Sequence, residues 1–155
     1  MNGTLLAKFK SSWSFNRQLT LDLISALSDN DLLFSPSPAL GPFWKQFRHV
    51  GRVQECYMDA LNTGKIVFAA EMGSYSGGPH GQGLADYLRE LDQNMNNLLA
   101  EVDPSSTIDW EEESVDIAEH LLRMDSHEVL HHGQCILYMR LAGKQFPASW
   151  AVWGL

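Results

Sequence analysis

Two histidines four residues apart, His127 and His131, are the side chains of this sequence best placed for metal chemistry. Residues four apart on an α-helix project from one face, about one turn from each other, so both imidazoles can reach a single ion. Two nitrogen atoms leave a metal ion short of ligands, and a third side chain is therefore required. Histidines that only form hydrogen bonds in a core are the ordinary alternative.

The third ligand that the sequence offers is His49, at the edge of the apolar stripe of an earlier predicted helix. If that helix faces the one with His127 and His131, three imidazoles converge. Neutral imidazoles bind Zn, Ni, Fe or Co, and of these divalent metals we expect Zn or Ni. Three protein ligands with open coordination positions are typical of a catalytic metal site rather than a structural one.

The other histidines and cysteines fit this site less well. His120 lies seven residues before the pair, about 10 Å along the helix, which is too far for the same ion. His132 should point away from the pair, since adjacent helical residues differ by about 100°. His80 falls in a glycine-rich stretch and is expected to be exposed. Cys135, one turn past the pair, is expected to be a small buried apolar residue.

Residues 127–131 also match the zinc peptidase pattern H-E-x-x-H. Such a peptidase needs a further ligand downstream, and no His, Asp or Glu follows His132, so a metallopeptidase is the third-ranked hypothesis. Glu128, the residue that would act as base there, is expected to be an exposed surface glutamate. The general base stays unassigned, with Glu128, Arg52 and Gln134 as nearby candidates.

The elements that position these residues follow from apolar periodicity. Four stretches repeat apolar residues at helical spacing and predict helices over about Thr4–Leu27, Pro42–Asn62, Gly83–Val102 and Ser114–Leu141. Ser114 is the predicted N-cap of the fourth helix. The acidic run Glu111–Glu113 is expected to be a solvated stretch near the positive start of that helix.

The connections between these helices differ in length. Ser28–Leu40, with two prolines, is predicted to be a loop. Gly64–Gly83 is long and rich in glycine, as expected for a crossover or functional loop. These features predict an all-α fold, a four-helix bundle with a long crossover between helices 2 and 3, as a single domain over residues 1–155. Two polar residues on the first helix's apolar face, Asn16 and Thr20, either find partners in the core or line a polar cavity.

Composition limits the partners. Asp and Glu outnumber Lys and Arg by 19 to 11, and the formal net charge of -8 disfavours nucleic acid and anionic membranes. No apolar run approaches the ~20 residues of a membrane helix, and the start of the chain shows no signal-peptide core. Two cysteines, Cys56 and Cys135, provide no disulfide framework. We expect a cytoplasmic protein that acts on a small-molecule substrate.

The sequence resembles the DinB/YfiT-type family of metal-binding four-helix bundles. The resemblance rests on His49 within residues 47–51, on the end His131-His132-Gly133-Gln134, and on the exit Arg140-Leu141-Ala142-Gly143. It covers nearly the full length. The chain has His132 where the family commonly has arginine, which puts an anion-binding role at that position in doubt.

The resemblance implies a divalent metal on His49, His127 and His131, a helix order with a long crossover, and a homodimer. Family members with known activity include thiol transferases and isomerases that use low-molecular-weight thiols, and some hydrolases. We therefore expect a metal-dependent, thiol transferase-like enzyme that uses such a thiol or water. The alternative is a non-catalytic metal-binding or structural homodimeric bundle, and a metal-free bundle is a further one.

Overall fold

The computed structural model describes residues 3–68 and 73–155. Its elements in chain order are α1 (Gly3–Ser25), α2 (Asp29–Leu32), α3 (Trp44–Thr63), α4 (Gly81–Glu101), β1 (Thr107–Asp109), β2 (Ser114–Asp116), α5 (Ile117–Leu141) and a 3-10 helix (Ala148–Trp153). The four long helices α1, α3, α4 and α5 correspond to the four predicted from the sequence. The predicted all-α bundle is confirmed.

Each long helix packs against two others. α1 contacts α4 and α5, and α3 contacts the same two helices, so the predicted pairing of the second and fourth long helices is also present. Apolar side chains that are completely buried fill the space between them, among them Leu23, Phe43, Leu84, Leu88, Ile117 and Met139. None of the helices in the described residues is both long and apolar enough to cross a membrane.

The start of α5 differs from the prediction. Residues 114–116 pair with β1 as an antiparallel strand, with Ser114 opposite Asp109. The N-cap is therefore Asp116, whose side chain accepts a hydrogen bond from the backbone N–H of Glu119. The acidic run lies in the turn of this hairpin, where Glu111 adopts a positive φ of 64°. The prediction of Ser114 as the cap was wrong because pairing with β1 extends the strand two residues further.

The predicted loop after α1 begins with the short helix α2. Ser28 caps it, and the carboxylate of Asp31, three residues later, accepts a hydrogen bond from the backbone N–H of Ser28, which completes a capping box. α3 begins at Trp44, two residues after the predicted Pro42. It ends at Gly64, as predicted, where a φ of 77° favours glycine.

Residues 73–75, in the crossover between α3 and α4, lie against these two helices. Residues 69–72 of this connection are outside the described residues. Beyond them, the backbone N–H of Ser74 donates to the carboxylate of Glu55, and Tyr75 packs its ring on Tyr87. Gly73 lies so close to Arg52 that a Cβ there would be 2.9 Å from Arg52 Cγ. The connection is thus held against the part of α3 that follows His49.

The C-terminal segment packs on the bundle chiefly through the buried Trp150, while Trp153 meets Phe15 of α1 edge-on. Trp150 is completely buried, and its Nε1 donates to the carbonyl oxygen of Leu19 at 3.0 Å. Its ring contacts His132 and Phe146. Trp153, by contrast, is 49% exposed.

We expect Gly51→Ala to destabilise the bundle. The Tyr87 ring packs so closely on Gly51 that a Cβ would lie 2.2 Å from Tyr87 Cε1, and Tyr87 is itself buried. The free energy of unfolding should fall by about 1–3 kcal/mol, the usual cost of overpacking. Urea denaturation measures it. The control is Gly81→Ala, where the nearest atoms lie at an ordinary 3.7 Å; equal stability of the two variants would contradict the close packing.

Candidate metal centre

His49 on α3 and the pair His127 and His131 on α5 meet between the two helices. Ring centroids are 4.6 Å apart within the pair, and His49 lies 4.8 Å from His131 and 5.3 Å from His127. One ligand nitrogen from each ring lies within 4.8 Å of the others. His131 is buried, while the other two are half-buried. The structure thus brings together all three side chains that the sequence nominated.

This donor set fits a divalent ion. Metal–nitrogen bonds of about 2.0–2.1 Å place two ligand nitrogens roughly 3.4 Å apart in a tetrahedral site. A span of up to 4.8 Å is therefore wider than a closed site by about 1.4 Å. Small side-chain rotations can cover this distance. Within residues 3–68 and 73–155, this trio is the group of His, Cys, Asp or Glu side chains arranged to hold a metal ion.

Gln46, one turn before His49, fixes the proton of His131. Its Oε1 lies 2.8 Å from His131 Nδ1, and a carbonyl oxygen only accepts, so Nδ1 carries the hydrogen. The lone pair of His131 is then on Nε2, the atom left for a metal. Gln46 in turn lies 3.5 Å from the hydroxyl of Tyr138, which also reaches the carbonyl oxygen of Leu40 at 2.9 Å. Such outer partners orient metal-binding histidines.

His49 has a different partner. Arg52 Nη2 lies 3.2 Å from His49 Nδ1, and since a guanidinium only donates, that nitrogen accepts and Nε2 carries the proton. A cation bound at Nδ1 would take the same lone pair, and one bound at Nε2 requires the proton to move to Nδ1. In either case metal loading ends this contact with Arg52.

Burial lowers the pKa of all three imidazoles. The pKa of His127 falls to about 4 through burial, with His49 and Arg52 adding to the effect. The pKa of His131 falls to about 3, again chiefly through burial and then through the other two rings. Burial, followed by Arg52 and Arg48, also lowers the pKa of His49. The three rings are therefore neutral at pH 7, which is the form that binds metal.

The remaining histidines lie elsewhere. His120 is buried, accepts from Trp110 Nε1 at 3.2 Å, and its Nε2 lies 3.0 Å from the carbonyl oxygen of Tyr57. His80 is exposed and pairs with Asp29 at 3.1 Å. His132 is buried on the other side of α5. Each therefore lies outside the trio, as predicted. Cys135 is buried, as predicted, and burial raises the pKa of its thiol.

Glu128 is not a surface residue, and that prediction was wrong. Its side chain is 1% exposed and binds Arg17 at 2.8 Å and Thr20 at 2.6 Å, both on α1. Burial raises the pKa of this carboxyl group, and the Arg17 guanidinium acts in the opposite direction. A metallopeptidase of the H-E-x-x-H type needs this carboxylate beside the metal, and here it is engaged with α1.

Arg17 is the centre of a buried polar network that sequence reasoning missed. Besides Glu128, its guanidinium binds Gln54 of α3 at 2.8 Å and lies 3.6 Å from Asp92 of α4. One side chain of α1 thus contacts each of the other three long helices. The feature of the sequence that could have revealed this network is a charged residue, Arg17, four residues after Trp13 on the apolar face of α1. Gln46 was missed as well, although it lies one turn before His49.

The two polar residues that sequence analysis noted on α1 have partners in the core. Asn16 Nδ2 donates to Asp125 at 2.8 Å, and Asp125 also accepts from the hydroxyl of Ser12 at 2.6 Å. The hydroxyl of Thr20 lies 2.8 Å from His132 Nε2. Hydrogen bonds in the core, one of the two alternatives left open, account for both residues.

A comparison with protein families shows where this chain belongs. The family model of the DinB superfamily matches residues 12–135. The chain belongs to the DinB superfamily. The resemblance drawn from the His49 segment and from the end of the fourth predicted helix is therefore confirmed.

Solved structures of DinB-like proteins share this fold. The crystal structure of one from Bacillus cereus matches with a TM-score of 0.75 at 19% identity, over 90% of this chain and 94% of that one. A second, from Bacillus subtilis, matches with a TM-score of 0.72 at 16% identity, over 92% and 97% of the two chains. At such identities the likeness shows the fold alone. No curated protein matches the chain.

Glu128→Ala should cost stability rather than chemistry. It leaves the buried guanidinium of Arg17 without its closest carboxylate, and breaking one side of a buried ion pair typically costs about 3–5 kcal/mol. Urea denaturation measures the free energy of unfolding. Glu101→Ala, at an exposed carboxylate, is the matched control. A loss below about 1 kcal/mol, the range of surface pairs, would contradict a structural role for this contact.

Gln46→Ala should weaken metal binding while the three ligands stay in place. Without the amide oxygen of Gln46, the proton of His131 is no longer held on Nδ1. The loss of such an outer partner typically lowers metal affinity by about 10–100-fold. Competition with a chromogenic chelator measures the dissociation constant. Gln46→Glu keeps an acceptor oxygen and should retain tight binding. Equal affinities of the alanine variant and the unaltered protein would contradict this role.

Proposed function

We propose that this DinB-superfamily protein is a divalent-metal-dependent enzyme of the thiol transferase type. The metal would be held by His49, His127 and His131, and a low-molecular-weight thiol, or water, would attack a small electrophile. The observation that carries the proposal is the convergence of three imidazoles from two helices, with ligand nitrogens within 4.8 Å of one another. Three protein ligands leave coordination positions open for a further molecule.

The chemistry that a metal supplies in such a site is a lowered pKa of a thiol or a water molecule, which yields a nucleophile at neutral pH. The residues of the chain supply position. Gln46 holds the ring of His131 with Nε2 directed away from its own amide. The two helices that carry the ligands pack directly against each other. The site is thus built on two rigid elements rather than on loops.

Positive charge near the site favours an anionic nucleophile. Arg48 and Arg52 lie close enough to His49 to lower the pKa of its ring. The three proposed ligands are neutral imidazoles, so the ligand set adds no negative charge to offset that of the two arginines. In a protein with a net charge of -8, these two arginines would favour the approach of a thiolate or an anionic substrate to the site.

Arg52 has a second role in the proposal. Its contact with His49 Nδ1 at 3.2 Å ends when the metal occupies the site, for the reasons of lone pair and tautomer given above. At the edge of the site, this guanidinium would bind a carboxylate or carbonyl oxygen of the electrophile, because planar guanidinium groups bind such oxygens well.

The alternative is a non-catalytic metal-binding or structural homodimeric bundle. In that case side chains close the coordination sphere, and no small molecule reaches the metal. The visible spectrum of the cobalt-substituted protein distinguishes the two, because a thiol that enters the coordination sphere changes it. A spectrum that does not respond to cysteine or to imidazole supports the alternative.

The purified protein should hold about one divalent ion per chain, and His49→Ala should lose most of it, because two imidazoles are a poor ligand set. Mass spectrometry of metal content measures this. His80→Ala removes an exposed histidine away from the trio and is the control. Metal retained equally in both variants, or no metal in the unaltered protein under loading conditions, would contradict the ligand assignment.

The same samples test the reaction. Metal-loaded protein should accelerate conjugation of cysteine, or of another low-molecular-weight thiol, to an epoxide or aryl halide. Chelation should abolish the acceleration, and loading of the chelated sample should restore it. Equal rates in loaded and chelated samples would remove the enzymatic proposal and leave the metal-binding one.

A further inference from the structure

One carboxylate of α3 anchors the crossover that follows this helix. The backbone N–H of Ser74 lies 3.1 Å from both oxygens of Glu55, and the Ser74 hydroxyl also donates to Oε1. Hydrogen bonds to an ionised acceptor are stronger than those between neutral groups. The next residue, Tyr75, packs its ring on Tyr87 of α4, with 5.2 Å between the ring centroids. The crossover is therefore fixed at this point to both of the helices that it connects.

The residue before Ser74 lies on the side chain of Arg52. A Cβ on Gly73 would be 2.9 Å from Arg52 Cγ, 3.3 Å from Cδ and 3.4 Å from Cβ. The backbone of the crossover thus contacts the apolar stem of this arginine. Gly73 also has a φ of 131°, a conformation that side chains other than glycine rarely adopt. Both the close approach and the backbone conformation require glycine here.

The far end of the same arginine is at the candidate metal centre. Arg52 Nη2 lies 3.2 Å from His49 Nδ1, and the positive charge of Arg52 contributes to the lowered pKa of His127. A long arginine side chain samples many rotamers unless contacts along its stem restrict it. Contact with Gly73 therefore limits where the guanidinium can lie relative to the candidate ligands.

Glu55 would otherwise compete for this arginine. The two residues are three apart on α3, the spacing at which opposite charges pair along a helix. Such a pair would turn the guanidinium towards Glu55, away from His49. Both oxygens of Glu55 instead accept hydrogen bonds from Ser74, which reduces the attraction of this carboxylate for Arg52. The anchor thus acts on the arginine in two ways, through packing and through the occupation of its helical partner.

We propose that Glu55 is a positioning residue for the candidate metal centre. Through Ser74 it holds Gly73 on the stem of Arg52, and the held guanidinium makes the centre selective for electrophiles that carry a carboxylate. The selectivity rests on the proposed function, whereas the position of Arg52 does not.

The first test uses NMR of the ring nitrogens of His49 in protein whose metal has been removed by a chelator. The unaltered protein should show the Nε2–H tautomer, because Nδ1 accepts from Arg52. Gly73→Ala should give a mixture of tautomers, since its Cβ displaces the arginine stem. Gly78→Ala is the matched control, at a crossover glycine of φ 72° where a Cβ meets no atom within 4 Å. An unaltered His49 signal in Gly73→Ala, or equal changes in both variants, overturns the proposal.

Variants of Glu55 separate position from charge by the same measurement. Glu55→Ala removes every acceptor for Ser74 and should also give mixed tautomers. Glu55→Gln loses the charge but keeps an amide oxygen that accepts from the Ser74 N–H, so it should retain the Nε2–H form. Asp59→Ala removes an exposed carboxylate about one turn further along α3 and should leave His49 unchanged. If Glu55→Gln behaves like Glu55→Ala, the effect is one of charge and the positioning role is wrong.

Kinetics of the metal-loaded protein test the selectivity. The probes are two epoxides, glycidate with a carboxylate and glycidol without one, each with cysteine as the thiol. The ratio of kcat/KM for glycidate to that for glycidol should fall about 10-fold in Glu55→Ala, the loss of one hydrogen bond to a charged group, at equal metal content. An unchanged ratio overturns the selectivity. No turnover of either epoxide by the unaltered protein removes the proposed function, and the NMR experiments then decide the positioning role by themselves.

Discussion

A single buried guanidinium links the four long helices of this protein. Arg17 reaches from α1 to Gln54 of α3, Asp92 of α4 and Glu128 of α5, and its side chain is only 3% exposed. Arginine stays charged in proteins, so burial of this side chain is favourable only when its partners are in place. The network is costly to desolvate. The network favours one arrangement of the helices, because a shift of any one helix leaves a buried charge unpaired.

This pairing requirement restricts the rotation of α5 about its own axis. Glu128 faces α1 and Arg17, and the residues on either side of it along the helix, His127 and His131, then face α3. A rotation of α5 that brought Glu128 toward the histidine site would expose Arg17 to an apolar core. The position of the two candidate ligands is therefore linked to an ion pair on the adjoining face of their helix. His49, on α3, meets them because α3 packs on α5.

Much of this could be predicted from the sequence. The apolar periods located the long helices, and helical spacing nominated the His127 and His131 pair. His49 followed from its place on an apolar edge. The hairpin was not predicted, because strands of three residues are too short for an alternating pattern to be detected. The partners of Arg17 and Gln46 could not be predicted either. They come from helices far apart in sequence, and no local pattern specifies which polar side chains meet in a core.

The same limit explains the error at Glu128. A glutamate within a helix is usually a surface residue, and only the presence of Arg17 across the core makes burial favourable. Spacings of four residues from Met124 and of seven from Leu121 and Cys135 do place residue 128 on the buried side of α5. The helical periodicity therefore indicates burial at this position, whereas the residue type led to the prediction of an exposed side chain.

The contact between Gly73 and Arg52 has a consequence for how such a protein can diversify. The candidate ligands lie on α3 and α5, whereas the connection that reaches Arg52 is a long loop between α3 and α4. Loops accept insertions and substitutions far more readily than packed helices. Changes in that loop can alter which molecules fit beside Arg52 while the imidazoles and their tautomers stay as they are. On the proposed function, one scaffold can thus acquire new substrates while its metal ligands stay unchanged.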